Sequence, residues 1–229
     1  MATPLKILSS MATRQLLADL VAAFRETASL EIQVESVGGV DAARRVAAGE
    51  AVDIVALASN AIEQLADAGR IVAGSQVDLV RSGVAVAVRA GAPRPDIGSE
   101  EAVKHAVLAA TSLSYSTGPS GVQLARLFER WGIADRIRER IVQAPPGVPV
   151  GQLVADGKVA LGFQQLSEMM NLPGIDVLGP LPPAIQITTT FSAGLSVTST
   201  QPDAVRALLA FMASPAVDGI KRRNGMEPG

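Results

Sequence analysis

The stretch Leu113-Ser-Tyr-Ser-Thr-Gly-Pro-Ser-Gly121 holds the residues best suited to chemistry. A short β-like segment passes there through a Gly/Pro turn into a helix expected over residues 122–131. Ser120 or Thr117 is placed to cap that helix, with main-chain N–H groups pointing into the turn. Gly121 adds bare backbone, and the nearest acid downstream is Glu129. A helix start rich in hydroxyls and free of acids suits an anion, because its N–H dipoles favour negative charge. A merely well-capped helix would use the same residues, so the argument rests on repetition. An apolar strand over 5–8 leads into Ser9-Ser10-Met11-Ala12-Thr13, and an alternating strand over 32–36 leads into Val37-Gly38-Gly39-Val40. A strand over 52–57 ends on Ala58-Ser59-Asn60, with Ser59 or Asn60 as the next cap. Together these turns predict a polar site ringed by helix N-termini, fit for small oxyanions or carboxylates.

The elements that position these turns alternate. Leu16, Leu17, Leu20, Val21 and Phe24 recur at helical spacing within a helix over 14–24. Helices over 41–48 and 61–68 follow the next two strands. A long β segment over 82–89 is closed by the Pro/Gly loop 90–95. Then come a helix over 101–109, the Leu113 strand and its helix, a helix over 148–155, a strand over 159–163, and a short helix over 166–170. A β segment at 176–178 precedes the Pro-rich turn Gly179-Pro-Leu-Pro-Pro183. A second long β segment over 188–197 and a helix over 203–213 finish the pattern. Alternating β and α elements predict an α/β fold of mixed, mostly parallel sheets flanked by helices. Two lobes are expected, 1–83 plus 193–229 and 84–192, with crossovers near 82–89 and 189–197 and a ligand cleft between them.

Composition narrows the function. The 229 residues are 48% hydrophobic but only 3% aromatic, as expected for buried Val/Ile/Leu-rich strands. A net charge of −2 gives no electrostatic case for nucleic acid or an anionic membrane. With no cysteine and one histidine, His105, neither a thiol nucleophile nor a histidine metal centre is expected, and no cofactor is implied. No apolar run is long enough to span a membrane, and Met1-Ala-Thr-Pro-Leu-Lys lacks the build of a secretory signal. The sequence as it stands reads as cytoplasmic, or as periplasmic if a leader was removed.

The opening Leu-Lys-Ile-Leu-Ser-Ser10, the Val37-Gly38-Gly39 turn, the Ala48-Gly-Glu-Ala-Val-Asp-Ile54 lead, Ser116-Thr-Gly-Pro-Ser-Gly121 and the closing Lys221-Arg-Arg-Asn-Gly-Met-Glu-Pro228 resemble the type II periplasmic solute-binding proteins, in particular the molybdate-binding-protein-like group. The likeness spans nearly the whole chain. It implies a two-lobed binding protein that holds an anion through serine hydroxyls and main-chain N–H groups without counter-charges. Carried to this sequence, it nominates Ser9 and Ser10, Gly38 and Gly39, and Ser120 and Gly121; Met11, Ser59 and Thr117, in the same strand-to-helix turns, complete the expected ligand set. Molybdate binders usually place a Tyr after the last strand of the second lobe. This chain reads Leu161-Gly-Phe-Gln-Gln-Leu-Ser-Glu168 there, and has glycine for serine in its second turn. Gln164 and Gln165 offer amides that suit a carboxylate.

That segment and Gly179-Pro-Leu-Pro-Pro183 further resemble a subgroup that includes aconitate isomerase. The leading expectation is a binding protein for a small organic anion, a di- or tricarboxylate, serving an ABC-type permease. The alternative is an isomerase that shifts a double bond in a polycarboxylate, with molybdate-like oxyanion binding third. If it is an enzyme, Tyr115 is the sequence's candidate for proton transfer, although it would equally fill a strand end. Arg14, Arg81 and Arg126 are the cations available to carboxylates.

Overall fold

The computed structural model describes residues 4–28, 30–144 and 148–229. Residues 1–3, which carry half of the segment read for a leader, lie outside them. The chain forms two compact units, Met1–Ser82 with Thr190–Gly229, and Gly83–Thr189.

In the first unit β1 (Leu5–Ser10) runs through a 3-10 turn into α1 (Arg14–Arg25). β2 (Ile32–Val37) is followed by α2 (Gly39–Ala47), and β3 (Ile54–Ala58) by α3 (Ser59–Asp67). The long β4 (Val77–Arg89) belongs in part to each unit. β1 pairs in parallel with β2 from Leu5↔Ile32 to Ser10↔Val37, and with β3 from Ile7↔Ile54 to Ser9↔Ala56. The three strands therefore end side by side, and their turns open along one edge.

Burial explains why β3 is apolar throughout. Ile54 and Ala56 face Leu16, Leu20 and Phe24 of α1, whereas Val55 and Leu57 face Val46 of α2 and Ile62 and Leu65 of α3. A strand covered on both sides has no solvent face to make polar.

The second unit contains α4 (Glu100–Ala109), β5 (Leu113–Tyr115), α5 (Pro119–Arg130), α6 (Ala134–Ile137), α7 (Val150–Ala155), β6 (Leu161–Gln165), α8 (Leu166–Met169) and β7 (Ile175–Pro180). β5 and β6 are parallel, from Leu113↔Leu161 to Tyr115↔Phe163. β6 and β7 each lie antiparallel to β4, from Val84↔Gln165 and Ala85↔Pro180 onward. Phe128 of α5 anchors this core, with Tyr115, Trp131 and Phe163 at ring distances of 5.9, 5.9 and 6.2 Å.

β8 (Thr188–Leu195) leads back into the first unit, where it is antiparallel to β3 from Ile54↔Leu195 to Ala58↔Phe191. α9 (Pro202–Ala213), α10 (Asp218–Arg223) and β9 (Glu227–Pro228) complete that unit. Pairing is thus mixed: parallel where strands alternate with helices, antiparallel where β4 and β8 enter.

At the candidate turns three helix starts differ from the sequence reading. α5 begins at Pro119 with Gly118 as its N-cap, so neither Thr117 nor Ser120 caps it. Proline at the first helical position needs no N–H partner and is already set for helix, which draws the start forward. α3 begins at Ser59 with Ala58 as N-cap, so neither Ser59 nor Asn60 caps it, because β3 passes into the helix with no intervening loop. α2 begins at Gly39 rather than at Asp41.

Asp53 holds the first unit's strands together. Its Oδ2 accepts the Lys6 N–H at 2.8 Å, its Oδ1 accepts the Ser199 hydroxyl at 2.6 Å, and its own N–H donates to the Lys6 carbonyl at 2.9 Å. Asp53→Ala leaves the Lys6 N–H without this acceptor and is expected to cost about 1–3 kcal/mol in urea unfolding. An unchanged unfolding midpoint would remove Asp53 from that role.

Candidate functional site

In the first unit Ser9, Ser10, Met11, Gly38, Gly39 and Ser59 come together at the ends of three neighbouring parallel strands. Their hydroxyls are not equivalent. Ser9 is fully buried, and its Oγ lies 2.7 Å from Ser36 Oγ, so it is already tied into the β1–β2 pair. Ser10 is buried at the turn itself, its Oγ having among the described residues only a long 3.5 Å contact to Thr13 Oγ1, and the Thr13 hydroxyl donates to the Ser10 carbonyl. Ser10 is thus the serine of the pair with bonding capacity to spare. Met11 is half-buried and opens the 3-10 turn, and Ser59 is the first residue of α3.

Gly38 and Gly39 are not demanded by the backbone. Neither has a positive φ, a Cβ on Gly38 would meet nothing within 4 Å, and one on Gly39 would sit 3.6 Å from Ser10 Cβ. The fold leaves open space at this turn, and bare main chain borders it.

In the second unit the Ser116–Gly121 turn and the pair Gln164–Gln165 share the ends of the parallel strands β5 and β6. Ser120 is buried and its Oγ lies 3.1 Å from Ser116 Oγ, while Thr117 is exposed. Gly121, unlike Gly39, has a steric reason: a Cβ there would lie 1.6 Å from the Ser116 carbonyl oxygen. The first turn of α5 folds down onto the chain that leads into it, which only glycine permits.

N-cap chemistry is the common thread. The N-caps of α2, α3 and α5 are Gly38, Ala58 and Gly118, none with a side-chain acceptor. Among the described α-helices only α4 has a side-chain cap, where Ser99 Oγ accepts the Ala102 N–H at 3.1 Å. The N–H groups that open α2, α3 and α5 are therefore left for a solvent or ligand acceptor.

Gln164 and Gln165 are buried with different partners. Gln164 Oε1 accepts the Gly151 N–H at 3.0 Å, and its Nε2 donates to Glu168 Oε1 at 2.8 Å. Gln165 Nε2 donates to Thr189 Oγ1 at 2.9 Å, leaving Gln165 Oε1 buried without a partner. Glu168 is the residue that sequence reasoning missed. It is half-buried, and desolvation pushes its carboxyl up to about 7 despite the hydrogen bond from Gln164. Every other carboxyl with a displaced value among the described residues is displaced downward.

Tyr115 packs edge-on against Phe128, and burial, with Glu129 nearby, raises its hydroxyl above the usual 10.0. A phenol held protonated in this way is a poor base. Arg14 is exposed, directly after the Ser10 turn; Arg81 is exposed on β4. Arg126 lines a cavity of about 430 Å³ with Gln123, Arg130 and Gln186, along the body of α5 rather than at its start. That cavity holds none of the nominated turn residues. His105 is exposed and 3.4 Å from Glu101. Among the described residues no group of three or more acids and histidines could hold a metal, and no helix is long and apolar enough to cross a membrane.

A family model described as bacterial extracellular solute-binding protein matches residues 5–227. The chain belongs to this family. It is also 35% identical to an aconitate isomerase from a Pseudomonas species, over 99% of this chain and 88% of that protein. Its fold is that of the periplasmic binding proteins. The periplasmic molybdate-binding protein of Azotobacter vinelandii superposes with a TM-score of 0.80 at 19% identity, covering 97% of this chain and 98% of the other. The sulfate-binding protein of Mycobacterium tuberculosis H37Rv gives 0.76 at 15% identity, covering 99% and 87%.

Two predictions follow from this geometry. Gly121→Ala is expected to lower stability by more than about 2 kcal/mol through the clash with Ser116, whereas Gly39→Ala is expected to be neutral or stabilising by up to about 1 kcal/mol. Thermal unfolding of both variants checks this, and equal losses would refute it. For Glu168, the folded value lies above the ordinary 4.5. The folded protein therefore keeps a proton that the unfolded chain releases, and this contribution is full below pH 4.5 and lost as pH rises through about 7. Glu168→Gln should accordingly gain about 1–3 kcal/mol on wild type between pH 5 and pH 8.5 in urea titrations.

Proposed function

We propose that the chain binds a small organic anion of the di- or tricarboxylate class, as the substrate-binding partner of an ABC-type permease outside the cytoplasmic membrane. The observation that carries this reading is that each unit has helix starts that no side chain caps, at Gly38 and Ala58 beside Ser10 in the first and at Gly118 beside Ser120 in the second. Main-chain N–H groups and hydroxyls bind a carboxylate through directed hydrogen bonds to oxygen, with the helix dipole adding to the attraction. Gln165 Oε1 supplies an acceptor for a hydroxyl or a protonated carboxyl.

A second reading, a polycarboxylate isomerase on the same scaffold, is favoured by the relative named aconitate isomerase, which matches 99% of this chain. Glu168, whose carboxyl titrates near neutrality, gives that reading a proton carrier better suited than Tyr115.

A thermal-shift screen against citrate, propane-1,2,3-tricarboxylate, cis- and trans-aconitate, sulfate and molybdate tests the proposal. Stabilisation by the polycarboxylates is expected. Stabilisation by molybdate or sulfate alone would replace a carboxylate with an inorganic oxyanion. Ser10→Ala and Ser120→Ala should each weaken binding of the best ligand by about 1–3 kcal/mol, the cost of an acceptor left unpaired in a desolvated site. Calorimetric affinities equal to wild type in both variants would displace the site from these turns.

A further inference from the structure

We propose that the cavity along the body of α5 is a second anion site, separate from the strand-to-helix turns, that takes a small dianion or polyanion by its charge. It goes beyond the carboxylate reading above, because the cavity holds none of the turn residues. About 12 Å of helix separates Arg126 from the cap at Gly118.

One wall is a face of α5. Gln123, Arg126 and Arg130 stand at i, i+3 and i+7, so they share one side of the helix. Like charges four residues apart weaken a helix, and no acid lines the cavity to offset these two. Arg130 donates through Nη2 to Glu100 Oε1 at 2.9 Å, and the same oxygen accepts the Trp131 indole N–H at 2.6 Å. Glu100 thereby sets the direction of Arg130 and leaves its Nε and Nη1 groups able to donate elsewhere. Arg126 is exposed and has neither an ion pair nor a side-chain hydrogen bond among the described residues.

The other wall, residues 184–187, is fixed by the protein itself. Gln186 Oε1 accepts the N–H groups of Val84 and Ile187 at 3.0 and 2.8 Å, and its Nε2 donates to the Leu181 carbonyl at 3.3 Å. Gly83 leaves room for that side chain: a Cβ there would lie 3.0 Å from Gln186 Nε2. Leu127, Ile185 and Ile187 are buried in the core that Phe128 anchors. Both walls therefore stand ready without a ligand, and binding orders little beyond the arginine side chains.

This arrangement defines the ligand. A volume of about 430 Å³ suits a small molecule. The two arginines leave the helix about 6 Å apart along its axis, a span that two acid groups of one small molecule can match. Each guanidinium presents paired N–H groups to carboxylate or phosphate oxygens. A monoanion satisfies one arginine, whereas a dianion relieves the repulsion between both. Selection by charge at an exposed face weakens as salt rises.

The test titrates the isotopically labelled full chain with inorganic pyrophosphate, with glutarate as the dicarboxylate arm and acetate as the monoanion. Pyrophosphate should shift the Nε–H signals of Arg126 and Arg130 and the main-chain N–H signals of 184–187. By calorimetry it should bind at least about tenfold more tightly than acetate, and lose at least about threefold in affinity between about 50 and 300 mM NaCl. R126Q combined with R130Q should weaken pyrophosphate by at least about tenfold at an unchanged melting temperature, because both side chains lie on an exposed helix face. Should loss of the Glu100 contact lower that temperature, R126Q alone carries the same comparison. Ser120→Ala should leave pyrophosphate affinity within about twofold. Glutarate moving the same signals assigns the site to dianions at large; pyrophosphate alone assigns it to phosphates, and both uphold it. Shifts confined to residues 9–13, 38–40 and 116–121, no shift at millimolar pyrophosphate, or unchanged affinity in the arginine variants would overturn it. None of these outcomes alters the carboxylate reading, whose own test lies at Ser10 and Ser120.

Discussion

The first N–H groups of a helix have no partner within it, and the candidate turns of both units depend on this. In ordinary helices a side chain from the N-cap closes part of the deficit, as Ser99 does for α4. At Gly38, Ala58 and Gly118 the chain uses residues that cannot. The alanine cap gives up roughly a kilocalorie per mole of local stability relative to a serine or aspartate cap, and each glycine cap about a few tenths. These choices yield a donor set aimed beyond the strand ends. The rest of each unit supplies what this arrangement requires. Double-sided burial of β3 keeps its neighbours in register, and the glycine at 121 brings the start of α5 down onto the Ser116 carbonyl.

Much of this was legible in the sequence, because periodicity reports burial directly. The apolar stripe of α1 and the continuous apolar run of β3 fix those elements, because the first spacing exposes one apolar helix face and the second leaves no polar face for solvent. The cap assignments were not legible. Thr117, Ser120, Ser59 and Asn60 all have the right side chains, and the choice among them turned on whether a loop intervenes between strand and helix. That depends on the exact residue where pairing to the neighbouring strand ends, such as Ser10 against Val37, which no local pattern encodes. Glu168 was illegible for a related reason. In sequence it is a lone acid on a short helix, the usual sign of a solvated face. Its carboxyl is desolvated by burial in the fold, and the Gln164 amide that bonds it is held by Gly151, seventeen residues earlier in the chain.

The two glycine turns show how similar sequence signals can have different physical causes. Gly121 is a packing glycine: remove it and the fold must move. Gly38 borders space that a side chain could occupy without touching the protein, so conformation and packing do not explain its presence. A residue kept small where the fold tolerates a larger one has its explanation outside the fold, in whatever approaches the main chain there.

Among the described residues the nominated arginines lie outside the turn residues themselves, with Arg14 directly after the Ser10 turn, and this bears on what the turns could select. A site built from arginines attracts any anion of sufficient charge, whereas neutral donors with fixed directions reward an oxygen only where it meets the N–H or O–H. Desolvating a multiply charged acid is costly, and neutral donors recover that cost only when each carboxylate finds its own set.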